Sequence, residues 1–291
     1  MAKVNEELVH KLQKKANMLR RESLLFISRG GFGHPGGSLS EADIVSCLYF
    51  YPVLRFDPAN PQWEDRDRFL MSKAHGCPPH YIALAELGFF PKETLLTYGS
   101  IGSKIQGHPD MRKTPGIEMS GGSLGQGLSV AVGMALGAKL LRKRYKIYCM
   151  VGDGEAQSGQ IWEAAMAASH YSLDNIIGIL DYNKMGAKGS CHELLGIEPL
   201  AKKWQAFGWE TIEIDGHDIE EILKAFHVAA HVNLIGKPTM IIAHTIKGRG
   251  VPWMENNPDW HTHPPSEEQV RQAIKDIDEY ERCQERPWVW R

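Results

Sequence analysis

The sequence predicts an α/β fold, an open and mostly parallel sheet with helices on both faces, formed as a single domain over residues 1–291. Three observations carry this reading. Short apolar runs alternate with amphipathic stretches along the whole chain, the pattern of a layered α/β structure. The runs at 147–151 (Ile-Tyr-Cys-Met-Val) and 175–181 (Asn-Ile-Ile-Gly-Ile-Leu-Asp) are apolar almost throughout rather than alternating, as parallel strands covered on both faces are. A hydrophobic content of 43% in 291 residues supplies a large core, and no Pro/Ser-rich linker or internal repeat divides it.

Taken in order, residues 6–27 place Leu8, Leu12, Ala16, Leu19 and Leu24 on one helical face, and the Gly-rich stretch 29–33 stops the helix. Ser40-Glu-Ala-Asp43 resembles a capping box opening a helix to about Phe50, and the Pro52 to Pro61 region reads as loop. Phe69, Leu70 and Met71 form a first short strand, and the glycine-rich segment 121–127 leads into a helix to about Leu141. A helix from about Gln160 to Tyr171 joins the runs 147–151 and 175–181 into a βαβ unit, with Trp162 and Met166 as its packing stripe. A strand at 209–214, a helix from Asp218 to about Asn233, a strand at 239–243 and a charged helix from Ser266 to about Arg286 complete the chain. The tail 286–291, with two tryptophans, is expected to face a partner.

A net charge of -2 favours neither nucleic acid nor an anionic membrane, and Arg142-Lys-Arg144 reads as a solvated helix end. Five scattered cysteines (Cys47, Cys77, Cys149, Cys191, Cys283) give neither a disulfide framework nor a zinc cluster. With no secretory h-region and no apolar run of spanning length, the expected setting is soluble and cytoplasmic.

The chemistry starts at Gly152-Asp-Gly154, an acid between glycines at the end of a strand. Glycines there usually let backbone N–H groups approach a phosphate, which Asp153 would repel. A divalent cation removes the conflict, because Mg²⁺ takes oxygen ligands and commonly bridges a carboxylate to phosphates. Asn183, at the end of the next strand, offers a second oxygen, and the glycine loop Gly121 to Gly127 offers amides at a helix N-terminus.

Together these features resemble the thiamine-diphosphate-binding signature. Gly33-His-Pro-Gly36 with Leu39-Ser40, Ser72-Lys-Ala-His75, Gly107-His-Pro109, Gly122-Ser-Leu-Gly-Gln-Gly127, His244-Thr-Ile-Lys-Gly-Arg-Gly250 and Trp260-His261 narrow the resemblance to the transketolase family. It covers essentially the whole chain but only the first of the family's three domains, the one that holds the diphosphate and metal.

The resemblance implies that Asp153, Asn183 and the backbone carbonyl of Met185 hold Mg²⁺. It implies that His75, Gly122, Ser123, Leu124, Gly154 and Lys247 contact thiamine diphosphate, and that His34, His108 and His261 line the substrate channel, where histidines hydrogen-bond sugar hydroxyls and shuttle protons. The implied activity is transfer of a two-carbon ketol unit from a ketose phosphate to an aldose phosphate, as in the pentose phosphate pathway. The glutamate that activates the cofactor sits in the family's second domain, so the implied assembly is an N-terminal subunit with a separate C-terminal subunit, in two copies of each. Ser158 stands where the family carries Glu, which puts its acidic bridge between cofactors in question, whereas Glu163 matches the family's next acid. Ala74 replaces a Gly before His75 at the cost of a methyl group.

Three other readings stay open on the sequence. Another thiamine-diphosphate enzyme, of the deoxyxylulose-phosphate synthase or 2-oxo acid dehydrogenase kind, would share Asp153 and Asn183. A Rossmann nucleotide binder would use Asp181 on a ribose hydroxyl, although G-x-G-x-x-G is absent. A non-catalytic relative would explain Ser158. His217 and His263 read as structural or solvated.

Overall fold

The computed structural model describes residues 5–232 and 236–284. In chain order the elements are α1 (Glu6–Gly30), α2 (Pro35–Ser40), α3 (Ala42–Phe50), β1 (Arg68–Met71), α4 (Cys77–Glu86), α5 (Gln126–Leu140), β2 (Ile147–Gly152) and α6 (Gly159–His170). There follow β3 (Ile176–Tyr182), α7 (Cys191–Leu195), α8 (Leu200–Ala206), β4 (Glu210–Asp215), α9 (Ile219–His227), β5 (Thr239–His244) and α10 (Glu267–Gln284).

The five strands form one parallel sheet in the order β1-β2-β3-β5-β4. Successive side chains of a strand point to opposite faces, and the two faces here pack into different cores. Phe69, Tyr148, Met150, Ile177, Ile179 and Ile241 join α1, α3, α4 and α9 on one side. Leu70, Ile147, Cys149, Val151, Leu180 and Ile242 join α5, α6 and α8 on the other. Helices therefore cover both faces, as the unbroken apolar runs predict. Because every strand runs the same way, all five carboxyl ends, and the loops leaving them, open at one edge.

Local signals set most boundaries. Asn5 caps α1 by accepting from Leu8 N–H at 2.7 Å, and Gly31, at φ 70°, ends it by donating to Ile27 O at 3.1 Å. Asp218 caps α9 through Glu220 N–H and Glu221 N–H, at 2.8 and 3.1 Å. Ser266 and Gln269 exchange bonds ahead of α10, a reciprocal capping box.

Four sequence expectations need correction or limits. Ser40 ends α2 rather than capping α3: its hydroxyl is turned to Gly37 O, at 3.0 Å, and to the buried Asp181 Oδ2, at 2.7 Å, and α3 starts after Glu41 with no side-chain cap. Between the Gly152-Asp-Gly154 turn and α6, which starts close to the expected Gln160, lies a 3-10 turn at Glu155–Gln157, where Glu155 folds back onto Gly152 N–H at 3.0 Å. Met166 is 54% exposed, so only Trp162 of the supposed stripe packs, against Trp204 and Phe207. Beyond α9 the chain takes a π turn at Val228–Val232. Asn233 and the tail 286–291 lie outside the described residues. No helix among the described residues is long and apolar enough to cross a membrane.

Candidate functional site

Four of the five strands deliver a functional group at the carboxyl edge. β1 runs into Ser72, Lys73 and the 3-10 turn that carries His75; β2 into Asp153; β3 into Asn183 and Met185; β5 into Thr245 and Lys247. Loops bring the rest: His34 precedes α2, His108 lies between α4 and α5, and His261 ends the 3-10 turn Pro258–His261.

Asp153 is 3% exposed. Its oxygens accept from the backbone N–H of Gly154, at 2.7 Å, and of Lys184, and the Cys191 thiol adjoins it. Among the described residues no side-chain cation pairs with it. Burial, and next the charge of Asp181, push its carboxyl up to about 6. A buried carboxylate in this state lacks a counter-charge.

Asn183 Oδ1 accepts from Met185 N–H at 3.1 Å and keeps a second lone pair. The Met185 carbonyl accepts from Lys247 Nζ at 3.2 Å. One carboxylate, one amide oxygen and one carbonyl form an all-oxygen donor set that fits Mg²⁺ and leaves positions for phosphate and water. Among the described residues no three His, Cys, Asp or Glu side chains gather as a metal cluster, so the donor set holds a single charge and two neutral oxygens.

The four histidines converge from four separate segments. His34 lies 5.0 Å from His75, 5.4 Å from His261 and 6.2 Å from His108, ring centre to ring centre, and His75 lies 5.2 Å from His261. Lys247 is 1% exposed and spends its three protons on Met185 O, Gly186 O and His261 Nδ1, the last at 2.9 Å. It is no surface cation; burial lowers it to about 8. Gly36 permits this packing, since a Cβ there would meet Lys247 Cγ at 2.9 Å. Because His261 accepts at Nδ1, its Nε2 is the nitrogen left to donate.

Burial, then neighbouring His108 and Lys247, lower His34 to about 4, and burial with Lys247 lowers His261 to about 3; His75 is lowered in the same way, by burial and then by Lys73. These rings are therefore neutral at physiological pH and act as donors and acceptors for hydroxyl groups. Histidine ring spectra should show His34 and His261 failing to titrate between about pH 8 and about pH 5; movement with a midpoint near the ordinary value of ~6.5 would contradict the geometry. The unfolded chain takes up these protons near ~6.5 and the folded one only lower, so stability falls as pH drops through that interval.

The glycine loop is held from below. Glu155, 2% exposed, accepts from Gly125 N–H at 2.8 Å, from Gly152 N–H and from the Ser72 hydroxyl. Gly127 lies so close to Ser72 that a Cβ would come within 2.4 Å of its side chain. Gly122 is half-buried beside His108, whereas Ser123 and Leu124 are exposed, Leu124 by 42%. The Gly154 N–H is occupied by Asp153.

Sequence reasoning missed three buried charges. Glu155 adjoins the GDG turn, and Lys73 lies within Ser72-Lys-Ala-His75. With Glu41 and Asp181, Lys73 forms an ion cluster beneath the site. Asp181 is fully buried and its oxygens are taken by Lys73, Ser40, Thr245 and Asn183, so no ribose hydroxyl can reach it. Glu163 is exposed on α6, and Ser158 opens that helix. The signal available in the sequence was each charge's position inside an otherwise apolar or glycine-rich stretch.

A parallel α/β sheet with a buried acid lacking a cation partner and a glycine loop at its carboxyl edge fits a thiamine-diphosphate-binding domain, and residues 11–281 match the model described as transketolase, thiamine diphosphate binding domain. The chain belongs to the transketolase family, as an N-terminal subunit. It is 45% identical over 267 residues, 92% of this chain and 96% of the relative, to the 6-deoxy-6-sulfo-D-fructose transketolase subunit SqwG of a Clostridium species. It is 40% identical over 268 residues, 92% of this chain and 93% of the relative, to one of the subunits of the apulose-4-phosphate transketolase of Phocaeicola vulgatus. The transketolase of Campylobacter jejuni superposes with a TM-score of 0.87 at 35% identity, over 94% of this chain and 43% of that one. The chain thus spans less than half the length of the solved transketolases it matches, and nearly all of the relatives named as subunits. These likenesses decide against a different class of thiamine enzyme.

Proposed function

We propose that this chain is the cofactor-holding half of a two-chain transketolase. The carrying observation is the convergence of His75, His261 and His108 on His34, at 5.0, 5.4 and 6.2 Å between ring centres, at the edge that bears the unpaired Asp153. Asp153, Asn183 and the Met185 carbonyl would hold Mg²⁺, and through it the diphosphate. His75, Lys247, Gly154 and the backbone of Gly122, Ser123 and Leu124 would contact thiamine diphosphate. That cofactor supplies a nucleophilic carbon and an electron sink for breaking a ketose C2–C3 bond.

His34, His108 and His261 line the approach. As neutral imidazoles His34 and His261 can take a proton from one sugar hydroxyl and return it to another, and His261 presents Nε2–H. The donors and acceptors are sugars or sugar phosphates; the relatives' names, a sulfonated fructose and apulose 4-phosphate, show that subunits of this size act on various sugars. A C-terminal subunit would bring the activating glutamate, two copies of each chain making the enzyme, in the cytoplasm.

The test is ketol transfer measured with this chain alone, with candidate C-terminal chains alone, and with both, in Mg²⁺ and thiamine diphosphate. Activity is expected only from the mixture, together with co-purification. Full activity from this chain by itself would overturn the two-chain reading.

A further inference from the structure

We propose that the buried Lys73–Asp181 ion pair is a positioning device that fixes which end of the Asn183 amide faces the cation position. The inference rests on the metal reading above and adds two positioning residues to it.

Asp181 Oδ2 receives Asn183 Nδ2–H at 3.1 Å, the Ser40 hydroxyl at 2.7 Å and the Lys73 ammonium at 2.5 Å. Asp181 Oδ1 receives the Thr245 hydroxyl. Lys73 also donates to Gly37 O, at 3.0 Å, and its ammonium lies 2.6 Å from Glu41 Oε2 as an ion pair. Lys73, Asp181 and Glu41 are at most 2% exposed. Gly76 clears the space, since a Cβ there would come within 2.8 Å of Glu41 and 2.9 Å of Lys73.

An aspartate paired with an ammonium is an acceptor only, so the end of the Asn183 amide that faces it must be the NH₂ group. The oxygen is then turned the other way, to Met185 N–H, with one lone pair free. Rotating the amide by half a turn would set oxygen against the carboxylate and NH₂ against the Met185 N–H, two opposed pairs at once in a buried place. Orientation matters because a hard cation binds the oxygen and not the NH₂. The same residue also aligns the other candidate ligand, for the Asp181 carbonyl accepts from Asp153 N–H at 3.3 Å. Lys73 comes from the β1 loop, Asp181 from β3, Thr245 from the β5 loop and Ser40 from α2, so the pair registers four elements against one amide.

The test uses the full chain with thiamine diphosphate and reads Mn²⁺ binding from the paramagnetic signal of the free ion, with melting temperature measured in chelator. Asp181→Asn offers Asn183 either an oxygen or an NH₂, and should weaken Mn²⁺ binding about tenfold, the usual effect of removing a ligand's supporting group. The charge-balanced Lys73→Met/Asp181→Asn variant separates the roles and carries the test should the single variant not fold. Positioning requires that its melting temperature recover while the loss of Mn²⁺ affinity persists. Unchanged affinity in either folded variant, or recovery of affinity together with melting, overturns the inference. A wild-type chain that binds no Mn²⁺ overturns the metal reading itself, and this inference with it.

Discussion

Replacing Asp153 by alanine is expected to lower the affinity for thiamine diphosphate in Mg²⁺ by about 100-fold or more, the upper end of what removing even a ligand's supporting group does. The argument is electrostatic. On the proposed function two anions, the carboxylate and a diphosphate, would share one edge of the sheet at the Gly152-Asp-Gly154 turn, and a hard cation between them would convert repulsion into attraction. Without the carboxylate, Asn183 and the Met185 carbonyl remain as neutral oxygens, too weak to hold the ion against water. The fold should survive, because among the described residues Asp153 accepts from the N–H groups of Gly154 and Lys184, with the Cys191 thiol beside it, and pairs with no side-chain cation, and an unpaired buried carboxylate costs stability. Melting in chelator should therefore be unchanged or higher, and the effect confined to cofactor binding in Mg²⁺. Titration calorimetry decides it, and undiminished affinity removes the metal explanation of the turn.

The sequence made the sheet legible for a physical reason. β2, β3 and β5 are covered on both faces, so their composition is uniformly apolar and cannot be mistaken for an exposed face. Glycine-delimited groups at strand ends, Asp153 and Asn183 above all, were legible because a carboxyl edge is where such residues meet. What stayed hidden depends on partners far away in the chain. Ser40 looks like a helix cap until Asp181 arrives beside it, and Lys73 looks like a surface lysine until Glu41 and Asp181 bury it. Lys247 could be read as a surface cation on the sequence alone; its partners Met185, Gly186 and His261 come from two other loops. Periodicity reports which side of a helix is apolar, but Met166 shows that its rim is not resolved: four residues after Trp162 the helix has already turned outward.

The same dependence on distant partners governs the largest expected loss of stability. Asp43→Asn should destabilise the chain by ~3–5 kcal/mol, the range for breaking a buried ion pair by removing one partner. Arg20 and Asp43 are both fully buried, and the carboxylate receives the guanidinium and, at 2.7 Å, His217 Nδ1. Arg20 would be left with neutral acceptors alone, Asn17 Oδ1, Leu39 O and the single oxygen of the new amide, and with the Tyr280 ring, not enough for a guanidinium without water. Burial pushes Asp43 up, but the Arg20 charge, with His217, outweighs it and holds the carboxyl at about 2. Its contribution is therefore fully present above the unfolded value near ~4 and is lost as pH falls from there towards about 2. In urea titrations the gap between the parent and Asp43→Asn should be wide at neutral pH and narrow on acidification. Glu220→Ala, which breaks the exposed pair with Lys224 at 3.6 Å, should stay within about 0.5 kcal/mol at both. A small loss at neutral pH for Asp43→Asn would mean that water or a rearranged acceptor reaches Arg20. The pair also bears on the site: His217 Nε2 accepts from Ile246 N–H at 2.9 Å, immediately before Lys247. A strut from α1 and α3 thus ends on the loop that holds His261, and slack in it would reach the histidine cluster without any change among the histidines themselves.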